Sequence, residues 1–376
     1  MDEAIFDAVV IGAGIAGATA AAHLAADRRV ALVEAEEAAG YHTTGRSAAL
    51  WIQNYGPPDV RALTGASRTF FEAPPAGFAD VPLLARRPVV MLAPLGDEAA
   101  VTALLDEGIG LRPLDAAELC ASVPPLRREY VGAAAVEEDA FDMDVAALHQ
   151  GFLRQLRRRG GTLALRSRTG RIERDGGAWE VEVTSGAVFR APMVVNAAGA
   201  WGDEVADQAG VAPLGLVPKR RTAAIVDPAP WKPAGWPMLI AIGAEEWYCR
   251  AEARTKLLVS PADETPIHAH DVQPEELDVA VGIDRMQRAL AIEVRRVERA
   301  WAGLRTFSSD GSLCIGWDRD APGFLWCVGQ GGYGIQTSPA AGRLVADIAA
   351  GRDPELDPTL VRMMDPRRFE THLDAK

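Results

Sequence analysis

The sequence predicts an α/β fold in which a Rossmann-like parallel sheet is interleaved with an α+β unit built on a mixed or antiparallel sheet. Three observations carry this. An apolar strand that runs into a glycine turn and then a helix occurs three times, at 5–26, 193–208 and 323–349. The stretches between these returns mix short strands with helices, so the chain leaves one sheet and comes back to it. At 376 residues the chain is longer than one ordinary domain, with ample length to bury a core.

The first unit is an apolar run over 5–11, the turn Gly12-Ala13-Gly14-Ile15-Ala16-Gly17, and a helix over 18–26. Gly12 lets the chain reverse, Gly14 lets the backbone approach a pyrophosphate, and Gly17 lets helix pack on strand. The helix N-terminus turns free N–H groups toward the anion. The next apolar run, 29–33, ends at Glu34, 22 residues after Gly12, where a carboxylate accepts from a ribose diol and repels a 2′-phosphate. Strand, helix and acid agree, so the turn reads as a dinucleotide site.

Residues 40–49 form a polar loop whose Thr43, Thr44, Arg46 and Ser47 suit further contacts to a phosphate-bearing cofactor. Residues 50–58 end in the breakers Gly56, Pro57 and Pro58, which read as a hinge. A helix over 59–72 opens on Asp59 as its cap, and 87–92 is a short strand. Helices with acid-rich starts follow at 97–105 and 115–122, then one at 144–159 whose basic last turn complements its dipole. Residues 162–189 read as a three-stranded meander, 193–201 as strand and glycine turn, and 202–208 as helix. Residues 214–226 and 236–250 are strand-rich, 274–294 is a long helix, and 305–317 is strand and turn. The strand over 323–328 leads through Gly329-Gln330-Gly331-Gly332-Tyr333-Gly334 into a helix over 335–349.

With 39 basic and 52 acidic residues the net charge is −13, which disfavours nucleic acid and anionic membrane surfaces as partners. Four scattered cysteines with no CxxC pair fit a reducing, cytoplasmic compartment. An acidic start and the lack of a long apolar run predict neither a signal peptide nor a membrane span. The histidines show no ligand spacing, His268 and His270 reading as loop, so no metal is expected.

Three returns to one sheet suit a cofactor larger than a nicotinamide dinucleotide. Across 12–17, 40–49, 61–64, 148–151, 195–201, 213–221, 269–278, 301–305 and 330–338 the chain resembles the FAD-dependent D-amino-acid oxidase superfamily, and within it the D-arginine dehydrogenase type. Pro218-Lys219-Arg220-Arg221 and 330–338 are the more specific stretches. The resemblance implies an FAD-binding domain over 1–85, 143–213 and 306–376, and a substrate-binding domain over 86–142 and 214–305. It implies noncovalent FAD on Gly12, Gly14, Ile15, Ala16, Gly17, Glu34, Ala35, Thr43, Thr44, Arg46, Ser47 and Ala48. Further contacts would come from Ala198, Gly199, Trp201, Gly331, Gly332, Tyr333, Gly334, Ile335, Gln336 and Thr337.

The resemblance also implies a clamp on a substrate carboxylate by Arg221, Arg305, Tyr55 and Tyr248, with the Gly332 carbonyl accepting from the substrate amine. A guanidinium fork binds a carboxylate bidentately, and both arginines are expected to stand without an acidic partner until the anion arrives. Tyr55 would ride on a loop that closes over substrate. The side-chain pocket would be Leu50, Ile52, Val89, Met238 and Ile240. Three of these depart from the D-arginine pattern: Val89 replaces a glutamate, Leu50 a histidine and Ile52 a threonine. Leaving a cationic side chain unpaired costs about 3–5 kcal/mol, so neutral or hydrophobic D-amino acids are expected over D-arginine and D-lysine. Glu245 and Glu246 are either solvated turn acids or a replacement pocket acid.

The implied reaction is oxidative deamination: hydride passes from Cα to flavin, and the imino acid hydrolyses to an oxo acid and ammonia. Alternatives are oxidation of N-methyl amino acids or 2-hydroxy acids in the same superfamily, or a flavin-binding module without turnover. The electron acceptor, whether oxygen, a quinone or a dye, follows from access to the flavin and is left open by the sequence.

Overall fold

The structure, a computed structural model, describes residues 4–372. Its centre is a six-stranded sheet in the order Thr162–Ala164, Val30–Val33, Ala8–Ile11, Val194–Asn196, Phe324–Val328, Cys314–Trp317. The first five strands run parallel and the last is antiparallel. The three strand–glycine–helix units lie side by side, with Val9 and Phe324 each paired to Val194. Their strands are apolar throughout because both faces are covered. Val10 and Leu32 face the helices Ile15–Leu24, Val145–Arg158 and Gly334–Ala350. Val9 and Val33 face the meander and the helix Gly202–Gln208.

The structure corrects the meander. Thr162–Ala164 leaves it and pairs in parallel with Val30–Val33, as a strand that follows a crossover helix does. The meander is Thr169–Asp175, Ala178–Val183 and Val188–Ala191, joined by Ala4–Ile5. The opening apolar run is therefore split between two sheets. At the break, Asp7 accepts from the Arg29 N–H at 2.6 Å.

The second large sheet has eight strands: Val297–Phe307, Val217–Val226, Lys256–Ser260, Trp247–Glu252, Met238–Ala241, Val89–Pro94, Val131–Glu137, Leu111–Pro113. Only Met238–Ala241 with Val89–Pro94 is a parallel pair among these neighbours. Lys256–Ser260 and the first two-thirds of Val297–Phe307 were not expected as strands, because charged residues such as Glu298 and Arg299 hide the alternation. A small sheet of Leu50–Trp51, Phe141–Met143 and Leu84–Arg86 accompanies these.

Helix ends follow the local chemistry. Asp115 and Asp144 cap their helices, accepting from the N–H of Ala117 and Ala147. Asp59 does not cap. The helix is Pro58–Glu72 with proline in its first turn, and both Asp59 oxygens are buried without a partner. The helix expected over 274–294 is Glu276–Ala289, because Leu290 is extended and bridges to Leu126. Arg154 and Arg158 of the basic helix end bond the carbonyls of Phe78 and Gly77, so they fasten a loop. Among the described residues no helix is long and apolar enough to cross a membrane.

Phe152 is fully buried, stacked on Phe70 at 5.4 Å and edge-on to Phe78 at 5.0 Å. Phe152→Ala should cost about 3–5 kcal/mol of stability, read as a lower urea midpoint; an unchanged midpoint would show that this cluster carries no load.

Candidate active site

A cavity of about 220 Å³ opens where the parallel strands Ala8–Ile11, Val30–Val33 and Val194–Asn196 end, and runs to Arg221, Tyr248 and Arg305 on the eight-stranded sheet. Ends of parallel strands are where α/β folds place ligands. Gly12, at φ +98°, could not carry a side chain: a Cβ would lie 2.6 Å from the Ala197 carbonyl oxygen. A Cβ at Gly17 would lie 1.8 Å from the Gly12 oxygen, so this glycine seats the helix against the turn.

Around that turn the polar groups are fixed. Glu34, buried, accepts from the N–H of Ala13 at 2.7 Å and of Glu36 at 3.0 Å. Thr44 Oγ1 accepts from the Ile15 N–H at 2.9 Å, which brings the Thr43–Arg46 turn against the helix start. Thr43 donates to the Leu304 carbonyl at 2.6 Å. His149 donates from Nε2 to the Ala13 carbonyl at 2.9 Å, and burial lowers its pKa, which favours the neutral ring. A glycine cradle, a helix N-terminus and a buried acid beside a long cavity fit the pyrophosphate and ribose of a dinucleotide.

Of the residues expected at the cofactor, Gly12, Gly14, Ile15, Ala16, Glu34, Ala35, Thr43, Thr44, Arg46, Ser47 and Ala48 line this cavity. So do Ala198, Gly199, Trp201, Gly331, Gly332, Gly334 and Ile335. Gly17, Tyr333, Gln336 and Thr337 are not on its wall. The Gln336 amide is committed elsewhere, donating to Thr64 Oγ1 at 2.8 Å and to the Ile52 carbonyl at 3.3 Å. Thr337 donates to the Tyr333 carbonyl at 3.0 Å. Arg46 reaches the wall, but its guanidinium is tied to Asp271 and to the carbonyls of Val272 and Ala302. It braces loops from the cavity wall.

The far end of the cavity holds residues the sequence reading missed: Glu36, His42, Ser167, Arg168, Thr169 and Gln208. His42 stands 3.1 Å from Glu36 Oε1 and its ring centroid 4.6 Å from that of Trp201. Reading 162–164 as meander hid the turn after it, where the Ser167 N–H donates to the Glu34 carbonyl at 2.7 Å. A helix-then-strand order was the available signal.

At the other end, Arg305 Nη1 donates to the Tyr55 hydroxyl at 2.8 Å. Among the described residues no carboxylate forms an ion pair with Arg305. A Cβ at Gly332 would lie 2.8 Å from Arg305 Nη1 and 3.0 Å from Tyr55 Oη, so a side chain here would displace the guanidinium from its present position. Lys219 pairs with Arg305 and Arg221 with Gly303 across the sheet, which puts both arginines on one face. Arg221 is partnered, contrary to expectation. Its Nη2 meets Glu264 Oε1 at 2.9 Å and its Nε donates to the Asp263 carbonyl at 2.8 Å. Glu264 also takes Lys219 Nζ at 2.8 Å and is itself half exposed. The loop carrying it follows the strand Lys256–Ser260, whose omission hid the pair.

Leu50, Ile52, Val89 and Met238 are buried in one apolar cluster with Tyr248, and Ile240 and Tyr55 pack against it. Of these residues Tyr248 lines the cavity, whereas Leu50, Ile52, Tyr55, Val89, Met238 and Ile240 are not on its wall. Behind it Asp142 is held by Arg87 at 2.5 Å, with Arg250 at 3.8 Å. Glu245 and Glu246 are exposed, and Glu245 pairs with Arg288 at 2.5 Å, so neither enters the pocket.

The family described as "FAD dependent oxidoreductase" (DAO) matches residues 7–348. A curated relative, "FAD-dependent oxidoreductase domain-containing protein 1" of Xenopus laevis, is 28% identical over 176 residues, 42% of this chain and 34% of that protein. The matched part thus spans about a third of that relative's length. Among solved structures, glycine oxidase from Geobacillus kaustophilus superposes with a TM-score of 0.83 at 21% identity, covering 95% of this chain and 98% of its own. L-proline dehydrogenase from P. horikoshii gives 0.84 at 21% identity, covering 98% and 99%. L-amino acid deaminase from Proteus vulgaris gives 0.80 at 16% identity, covering 98% and 100%. At these identities the likeness is one of fold.

Gly332→Ala should push Arg305 and Tyr55 apart and weaken binding of a small carboxylate by about 1–3 kcal/mol. Titration followed in the flavin absorbance checks this; unchanged affinity would mean that the guanidinium does not hold the anion.

Proposed function

The chain belongs to the DAO family of FAD-dependent oxidoreductases, and from that premise we propose that it oxidatively deaminates D-amino acids with neutral or hydrophobic side chains. The observation that carries this reading is Arg305, set in the cavity wall with no carboxylate in ion-pair contact among the described residues and hydrogen-bonded to Tyr55 beside Gly332. Bound FAD supplies a hydride acceptor. The protein's part is to present the substrate. Arg305 offers its remaining N–H donors to the carboxylate. Tyr55, which accepts from Arg305, keeps its own O–H to donate to the same group. The carbonyl of Gly332 takes an N–H of the amine, so two fixed points choose which face of Cα meets the ring. The amine must be neutral when hydride leaves, and the released imine hydrolyses in water to oxo acid and ammonia.

The side-chain preference is supported by the departures from the D-arginine pattern at Leu50, Ile52 and Val89, which are apolar and packed in one cluster behind the cavity wall, with no polar partner there for a cationic side chain. Asp142 is already paired with Arg87 and Glu245 with Arg288, and Glu137, opposite Val89, is taken up by the Gln53 and Asn54 donors, so these acids are committed elsewhere. Arg221 enters as a second contact only when it leaves Glu264. The D-form is proposed on the resemblance of Arg221, Arg305, Tyr55 and Tyr248 to the clamp of the D-amino-acid enzymes. The three structural neighbours named above span glycine, L-proline and L-amino acids.

Anaerobic mixing with D-leucine or D-methionine should bleach the flavin, with the L-forms and D-arginine slower by about a hundredfold or more. Bleaching only by N-methyl amino acids or 2-hydroxy acids would move the chain to another branch of the family, and no bleaching by any of them would end the enzymatic reading. Arg305→Lys should lower kcat/KM by about a hundredfold, because a point charge does not replace the planar fork. Glu264→Gln should act in the opposite direction, lowering KM by about 1 kcal/mol or less in binding terms; a raised KM would show that Glu264 supports the clamp instead of competing for it.

A further inference from the structure

The segment that carries Tyr55 forms neither strand nor helix between Trp51 and Pro58. One carboxylate gathers it. Glu137 ends the strand Val131–Glu137, directly across from Val89, and is 2% exposed. It accepts from the Gln53 N–H at 2.6 Å, from Asn54 Nδ2 at 2.7 Å and from the Asn54 N–H at 3.3 Å. Asn54 is gripped from its other side as well, accepting from the Ile109 N–H at 2.7 Å and donating to the Ile109 carbonyl at 2.9 Å. Burial raises the Glu137 pKa above its ordinary value, the loop's donors oppose that rise, and Asp139, itself paired with Arg68, adds a lesser push in the same direction as burial.

A buried anion beside another acid depends on its hydrogen-bond donors, and here all three belong to the two residues before Tyr55. If the loop lifts, Glu137 loses them together, which costs more than losing any one neutral bond. The carboxylate therefore favours the conformation in which Tyr55 reaches Arg305. Gln336 adds a neutral tie at Ile52, and Arg61 donates to the Gly56 carbonyl at 2.8 Å, so the segment is held on both sides of the tyrosine.

We propose that Glu137 is a positioning residue: it selects the loop conformation that sets Tyr55 against Arg305, and acts on substrate only through that tyrosine. This rests on the carboxylate-clamp reading given above. Glu137→Gln keeps the size of the side chain but turns an amide NH₂ toward N–H donors. In the FAD-loaded variant, hydrogen exchange across 52–55 should quicken by about tenfold or more. KM for D-leucine should rise about tenfold with a smaller change in kcat. The double variant E137Q/Y55F should show the KM of Y55F within about twofold, since the two residues act as one unit. Unchanged exchange, or KM effects that multiply, would overturn the proposal. The exchange measurement needs no substrate, so a wild-type enzyme that D-leucine does not reduce removes the clamp reading while the latch is still judged by exchange. If E137Q does not retain FAD, N54S removes one of the three donors and is read in the same way.

Discussion

A guanidinium kept in a cavity wall with no carboxylate beside it is the constraint on which the rest of this site depends. Arg305 has the Tyr55 hydroxyl at 2.8 Å and, among the described residues, no acid in ion-pair contact. A group so placed is stabilised when an anion arrives and has little reason to be there otherwise. Neighbouring residues are arranged around it. Gly332 carries no side chain where a Cβ would collide with it, and Tyr248 is buried at the margin of the cavity. Glu264, whose carboxylate feels the Arg305 charge, is drawn off to Lys219 and Arg221.

The two large sheets divide the work. The six-stranded sheet ends in glycine turns, and their closeness to Ala197 and to one another leaves room for a cofactor rather than side chains. The eight-stranded sheet brings charged and aromatic side chains to one face, with Arg221, Arg305 and Tyr248 toward the cavity and an apolar cluster behind. Connections between the sheets include Thr43 to the Leu304 carbonyl, Arg46 to the Ala302 carbonyl, and Glu137 to the loop before Tyr55. Each ties a backbone position to a polar group, so the relative placement of cofactor and substrate residues is set by directional bonds.

The parts legible in the sequence were those with a strong local signal. The three strand–glycine–helix units were readable because a buried parallel strand is a continuous apolar run and a phosphate turn needs glycine. Asp115 and Asp144 cap helices as a short acid before a helix does. Asp59 shows the limit of that rule: with Pro58 opening the helix its carboxylate is buried and unpartnered. The first two-thirds of strand Val297–Phe307 was missed because its charged start masks the alternation, and its ten-residue partner Val217–Val226 is what orders it.

By itself, the sequence determined the parallel cofactor sheet and the glycines and acid at its edge, because these rest on short-range periodicity and on the chemistry of single side chains; the carboxylate clamp entered only through resemblance to a family. Tertiary structure decided which charged groups are free. Arg46 is spent on Asp271 and Arg221 on Glu264, while Arg305 keeps an open face, and Glu137 turns out to hold the loop of Tyr55. Partners at such sequence distances are chosen by the packing of sheets and loops, and a pattern read along the chain carries no record of which carboxylate will meet which arginine.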